Sequence, residues 1–173
     1  MTIKFVKLTL TWLLLTLFSG QSMALNQRDE SLLWVGAEVF PALVKSVESI
    51  NNSHTTIAVV YDQNLHQAEV VAKQLTKFLD QPIQLFNQQA FLQQNQIQIA
   101  FISHPLLHNS AVLNHIQQQK MLSFSPFHRA MVDGFDTGIT IQTQVRPELH
   151  LAQLTAKGII FKPFFVKVAH IYD

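Results

Sequence analysis

The sequence lacks cysteine, so neither disulfide bonds nor thiol chemistry is available to the protein. Glycine is scarce, with five residues in 173, and the chain contains neither a Gly-rich phosphate loop nor a Walker lysine. These absences argue against a dinucleotide site. Basic residues exceed acidic residues by only one, with 12 Lys and Arg against 11 Asp and Glu. The basic stripe of a nucleic-acid-binding protein is therefore missing, and we expect no nucleic-acid partner.

A long hydrophobic run is also missing. Lys4 and Lys7 precede an apolar stretch from Leu8 to Phe18, and the small residues Ser22 and Ala24 follow it. This three-part pattern predicts a cleavable signal peptide over residues 1–24. A stretch of about 11 residues is too short for a membrane span, which needs roughly 20. We therefore expect a periplasmic protein with no membrane span after cleavage.

Cleavage after Ala24 would leave residues 25–173, a length that suits one domain with a substantial core. It would remove two lysines, so Lys plus Arg falls from 12 to 10 against 11 acidic residues, and the formal charge changes from +1 to −1. The slight basicity of the whole chain thus belongs to the predicted signal peptide.

The stretch from Gln96 to Ser125 predicts a strand, a helix and a second strand. Its apolar run ends at Ser103, Asn109 or Ser110 can cap the helix, and the chain is extended again at 121–125. Such a βαβ unit implies parallel strands that are covered on both faces.

The flanking segments extend this pattern on both sides. The predicted elements are a helix over 29–50, a strand over 55–61, a helix that ends near Leu79, a strand over 82–86, a strand over 138–145, a hairpin strand over 148–151, a helix over 151–157, a strand over 159–161 and a helix over 163–171. We predict a single three-layer α/β domain over 25–173, with a mixed, mostly parallel sheet flanked by helices.

The carboxyl ends of the central strands are the expected place for a ligand, because parallel α/β sheets bind ligands at that edge. The candidate ligand edge consists of Ser103, His104, Ser125, Phe127 and His128.

Three histidines could in principle bind zinc or copper. His104, His108 and His115 are separated by four and seven residues, so one continuous helix would place them on one face. Pro105 argues that His104 lies before the helix, and no nearby Asp or Glu completes a site. We expect no metal and no cofactor.

The residue types also suggest a Ser–His–Asp catalytic triad. Ser103, Ser123, Ser125, His128 and Asp133 lie within about thirty residues, but no Gly-x-Ser-x-Gly elbow surrounds any serine. We therefore expect a protein that is not an enzyme.

The C-terminal segment 161–167 combines phenylalanines with lysines. Phe164 has Val168 at i+4 and Ile171 at i+7, so we expect Phe164 in the core and Phe165 at the periphery. The candidate partner surface consists of Lys162, Phe165 and Lys167.

The order of elements resembles the YfiR-like periplasmic proteins from about Ile57 to Ile171. The resemblance rests on the strand from Gly138, the helix 151–158 that ends in Gly, and the terminal helix 163–171, where Phe164-Phe165 takes the place of paired leucines. The segments 100–103 and 121–125 also match. The chain differs in having His150 where asparagine is usual and Pro126 where aspartate is common.

The resemblance implies a regulatory protein that binds the periplasmic sensing domain of an inner-membrane diguanylate cyclase and restrains it, within cyclic-di-GMP and biofilm signalling. The alternative is a small periplasmic solute-binding module of a transport or sensing system. The sequence is also compatible with a homodimer.

Overall fold

A seven-stranded sheet forms the centre of the protein in the computed structural model, which describes residues 25–49 and 55–173. The strands are β1 Ile57–Tyr61, β2 Ile83–Asn87, β3 Ile99–Ile102, β4 Leu122–Ser125, β5 Thr137–Ile141, β6 Val145–Leu149 and β7 His170–Ile171. Their order in the sheet is β2-β1-β3-β4-β5-β6-β7. Strands β1 to β5 run parallel to one another, β6 is antiparallel to β5, and β7 is parallel to β6. The predicted signal peptide lies outside the described residues.

Seven α-helices and one 3-10 turn connect these strands in the described part of the chain. They are α1 Gln27–Lys45, α2 Leu65–Leu75, α3 Gln88–Phe91, the 3-10 turn Pro105–Leu107, α4 Ser110–Gln118, α5 Ala130–Asp133, α6 Leu151–Ala156 and α7 Pro163–Val168. Four of the helices begin at an asparagine whose side chain accepts a backbone N–H of the first turn: Asn26, Asn64, Asn87 and Asn109. No described helix is both long and apolar enough to cross a membrane.

Helices cover both faces of the sheet. On one face, Phe40 of α1 packs against Phe101 and Phe124, with ring centroids 5.0 and 5.1 Å apart. On the other face, Val112 and Ile116 of α4 join a second buried cluster. Alternate residues of β1 enter the two clusters, as a strand buried on both sides requires. The predicted fold class, a mixed and mostly parallel sheet flanked by helices, is confirmed.

A buried ion pair joins β4, the start of β5 and α6. Lys157 Nζ lies 2.7 Å from Asp136 Oδ2, and the two side chains are 4% and 0% exposed. The same carboxylate accepts the backbone N–H and the hydroxyl of Ser123, at 2.9 and 2.6 Å. Lys157 also donates to the Met121 carbonyl. Burial lowers the pKa of Lys157 below its usual 10.5, although Asp136 raises it in part.

The C-terminal region differs from the sequence-based expectation in its boundaries. The turn between β5 and β6 lies at 142–144, not at Arg146, so β6 pairs from Val145 onward. Phe161 forms only an isolated bridge with Val47, where a strand was expected. Helix α7 ends at Val168 because Ala169 is extended, and β7 follows instead of a longer helix.

The predicted orientation of the terminal phenylalanines is wrong. Phe165 is 5% exposed and stacks on Phe161 at 5.5 Å between ring centroids, whereas Phe164 is 62% exposed. The bridge between Phe161 and Val47 holds Phe161 in the core, and α7 turns the side chain of Phe165 toward it. Phe165 is therefore removed from the candidate partner surface.

This orientation predicts unequal costs of truncation. Phe165→Ala should lower the free energy of unfolding by ~3–5 kcal/mol, because it empties a packed core position. Phe164→Ala should change it by no more than about 0.5 kcal/mol, since that ring is exposed. Urea denaturation of both variants measures the difference, and a larger loss in Phe164→Ala would contradict the structure.

Candidate functional site

A groove lies at the carboxyl ends of β4 and β5 and encloses about 990 Å³. We call it the carboxyl-edge groove. Its wall combines the beginning of α1, the segment 126–132, strand β5, and parts of β6 and the C-terminus. It is lined by Arg28, Ser31, Leu32, Val35, Pro126, Phe127, His128, Arg129, Ala130, Met131, Val132, Ile139, Thr140, Ile141, Glu148 and Tyr172. The volume lies in the range of about 300–1,000 Å³ that is usual for small-molecule sites.

Two glycines allow the elements around the groove to approach closely. A Cβ at Gly36 would overlap Cβ of Pro126, so only glycine lets α1 lie against the segment after β4. A Cβ at Gly138 would lie 2.9 Å from the Ser125 carbonyl oxygen. Both contacts are shorter than side-chain atoms tolerate, so these glycines set the position of α1 and β5 beside the groove.

The groove carries more positive than negative charge. Arg28 comes from the first turn of α1, and Arg129 lies directly before α5. Glu148 is the acidic residue of the lining, and its Oε1 lies 3.1 Å from Nδ1 of His170. Arg129 Nε lies 3.6 Å from Oδ1 of Asp133, and the arginine side chain is 63% exposed.

Beneath the segment 126–132, a serine, a histidine and an aspartate form a hydrogen-bonded array. His108 Nδ1 lies 2.7 Å from Asp133 Oδ2, and His108 Nε2 lies 2.7 Å from Ser125 Oγ. Burial lowers the pKa of His108 below its usual 6.5, although the hydrogen bond and charge of Asp133 raise it in part. His108 is therefore neutral at pH 7, and a neutral ring that donates to Asp133 accepts the Ser125 hydroxyl at Nε2.

The hydrogen bonds join serine, histidine and aspartate as in a catalytic triad, but the serine is not accessible. Ser125 is fully buried, and its Oγ also accepts the Phe127 N–H at 3.4 Å. It does not line the carboxyl-edge groove. The sequence suggested His128 as the histidine partner, whereas the structure places His108 between Ser125 and Asp133, and His128 at the groove.

The five residues of the candidate ligand edge divide into two groups. Phe127 and His128 line the groove. Ser103, His104 and Ser125 are buried and face protein partners instead. The Ser103 hydroxyl donates to the Val60 carbonyl at 2.8 Å. His104 Nδ1 accepts the Leu106 N–H at 3.2 Å, at the start of the 3-10 turn.

The three histidines considered for a metal have separate surroundings. His104 begins the 3-10 turn, His108 ends it within the array, and His115 lies on α4 with its ring 5.0 Å from that of Phe91. They do not share one helix face, because the 3-10 turn interrupts the helical register. Residues 25–49 and 55–173 contain no group of three His, Cys, Asp or Glu that could hold a metal ion.

Of the candidate partner surface, the two lysines remain outside the core. Lys162 is half-buried, and its Nζ donates to the Lys45 carbonyl at 3.0 Å, whereas Lys167 is exposed. The exposed apolar side chains of this region are Ile160, Phe164 and Val168.

The arginines of the groove were not predicted from the sequence. Strands β1 to β4 lie between Arg28 and Arg129 in the sequence, so no local motif connects the two arginines. The only signal was their place in segments that border the carboxyl edge, at the start of the first helix and after β4.

No protein-family model and no curated protein matches the chain. One solved structure with a similar fold is an ABC domain in complex with L-Trp from Streptococcus pneumonia, with a TM-score of 0.59 and 11% sequence identity. The match covers 81% of this chain and 62% of that chain, so this chain spans less than two thirds of its neighbour. At this identity the likeness concerns the fold alone: the protein has an α/β fold that a ligand-binding domain also has.

Proposed function

We propose that this protein is a non-enzymatic, periplasmic binding protein whose carboxyl-edge groove takes a small molecule. The observation that carries the proposal is the groove itself, which joins an apolar wall to a few charged side chains at the carboxyl ends of parallel strands. Ligands of open α/β sheets bind at this edge, and small-molecule sites usually have this composition. The similar fold of a domain crystallised with L-Trp supports the same function.

The Ser125–His108–Asp133 array supports the groove and performs no catalysis in this proposal. It connects the end of β4, the end of the 3-10 turn and the last residue of α5, and the segment 126–132 lies between two of these anchor points. A nucleophile must reach its substrate, and the fully buried hydroxyl of Ser125 does not face the groove. The hydrogen bonds therefore hold the groove wall in place.

A second function concerns a protein partner. We propose that the protein regulates a membrane protein with a periplasmic sensing domain, such as a diguanylate cyclase, as the resemblance to the YfiR-like proteins suggests. The observation that favours it is the exposed apolar surface at Phe164 and Val168, which lie one helical turn apart on α7. Lys167 adds positive charge on the same helix. Ligand binding and partner regulation are compatible in one sensing system.

Ligand binding in the groove predicts a thermal shift that one substitution reduces or abolishes. Screening residues 25–173 against amino acids and small organic acids should find a compound that raises the melting temperature, since a ligand at 100 times its Kd stabilises by about 2.7 kcal/mol. Val132→Trp should reduce or abolish the shift by narrowing the groove, whereas Val70→Trp, at an exposed valine of α2, should retain it. A shift that Val132→Trp leaves unchanged would contradict the assignment of the groove.

A supporting role of His108 predicts a specific pH dependence of stability. The folded state holds the pKa of His108 below the unfolded value of 6.5, so its contribution is complete above pH 6.5 and is lost as the pH falls toward the folded pKa. His108→Gln should cost about 1–3 kcal/mol at pH 7.5 and should flatten the loss of stability between pH 7.5 and 5. His66→Gln, at an exposed histidine, should retain the wild-type slope.

Labelling of Ser125 by a fluorophosphonate would contradict the non-enzymatic role.

Regulation of a membrane partner predicts a phenotype for the α7 surface. Phe164→Ser should leave the stability nearly unchanged and weaken co-purification with a cyclase that has a periplasmic domain. It should alter cyclic-di-GMP levels, and deletion of the gene should alter them in the same direction. Phe78→Ser, at another exposed phenylalanine, is the matched control. Wild-type behaviour of Phe164→Ser in both assays would exclude α7 as the docking surface.

A further inference from the structure

We infer that the ligand of the carboxyl-edge groove carries an acidic group that Arg129 and Arg28 bind, while its apolar body lies on the hydrophobic wall. The ligand class is thus a small amphipathic carboxylate. The inference rests on the proposed binding function and names the chemistry of that site.

The first observation is the backbone of Arg129. Its φ of 69° and ψ of 7° lie in the left-handed region, which disfavours side chains with a Cβ. Lys120 is the other described non-glycine residue with positive φ, and it follows the end of α4, where that conformation is common. Arg129 instead precedes a helix and makes no capping bond with its side chain. A strained residue of this kind at a site indicates function, since glycine would suit the backbone better.

The second observation is the surroundings of the Arg129 side chain. It is mostly exposed, it lines the groove, and its Nε lies 3.6 Å from Oδ1 of Asp133. Packing therefore does not explain why an arginine occupies this strained position. The guanidinium retains donors that can bind both oxygens of a carboxylate.

The third observation is the position of Arg28. It lies in the first turn of α1, where the helix dipole favours anions and disfavours a cation. Arg28 nevertheless lines the same groove as Arg129, so two arginines from distant parts of the chain line one groove. Glu148, the acidic residue of the lining, is already bonded to His170. With two arginines against one glutamate, the residues that line the groove favour an anion.

The fourth observation is the apolar part of the groove lining. Leu32, Val35, Phe127 and Ile139 contribute hydrophobic side chains to the groove. A fully polar anion would leave this surface without a partner, whereas an acid with a hydrocarbon chain or ring covers it. The groove therefore matches an amphipathic carboxylate better than an inorganic anion.

Decanoate and its neutral analogue 1-decanol test the inference by calorimetry on residues 25–173, at concentrations below micelle formation. We expect decanoate to bind the wild-type chain more tightly than 1-decanol. Arg129→Gln and Arg129→Gly should each weaken decanoate binding about tenfold or more, because a charge-assisted pair is lost, and should leave 1-decanol binding unchanged. Arg146→Gln, at an exposed arginine outside the groove, should bind decanoate as the wild type does.

The variant Arg129→Gly separates ligand binding from folding. It should match or exceed the melting temperature of the wild type, because glycine relieves the left-handed backbone, and should still lose decanoate affinity. Equal binding of decanoate and 1-decanol, or an unchanged decanoate affinity in Arg129→Gln, would overturn the anionic class and leave the groove's function standing. Absence of decanoate binding to the wild type would also overturn it. The groove itself fails only if Val132→Trp leaves every bound compound unaffected.

Discussion

The buried pair of Asp136 and Lys157 is the interaction on which the rest of the structure depends. Its carboxylate holds both the amide and the hydroxyl of Ser123, so it fixes β4 beside the start of β5. Strands β4 and β5 share only two paired positions, Phe124 with Thr137 and Ser125 with Gly138. So short a ladder needs an additional connection, and a buried ion pair that loses one partner typically costs about 3–5 kcal/mol.

The connection between β4 and β5 determines the shape of the groove. Ser125 ends the strand that the ion pair holds, and through His108 it is linked to Asp133 at the far end of the segment 126–132. Because both ends of the segment are anchored, Arg129 can be kept in a conformation that an isolated chain avoids. The buried ion pair thus positions β4, and the hydrogen-bonded array connects β4 to the segment that carries Arg129.

The sequence predicted the layers of the fold better than its long-range contacts. The apolar run before Ser103 and the segment 121–125 indicated parallel central strands, because burial on both faces leaves a continuous hydrophobic pattern. The side of α7 that faces the core was predicted wrongly, since it is set by the distant bridge of Phe161 with Val47 and not by the spacing within the helix. The choice of His108 as the partner of Ser125 likewise depends on how the 3-10 turn directs the chain. Tertiary contacts of this kind leave no local periodicity.

The proposed ligand is a small amphipathic molecule that binds at the carboxyl edge of the sheet. The most direct measurement is a titration of 15N-labelled protein with decanoate, followed through the chemical shifts of its backbone amides. We expect the shift changes to concentrate in residues 127–132, at Arg28 and around Thr140, and to be small along α2. Changes centred on α2 or on α7, with the amides of residues 127–132 unaffected, would contradict this proposal.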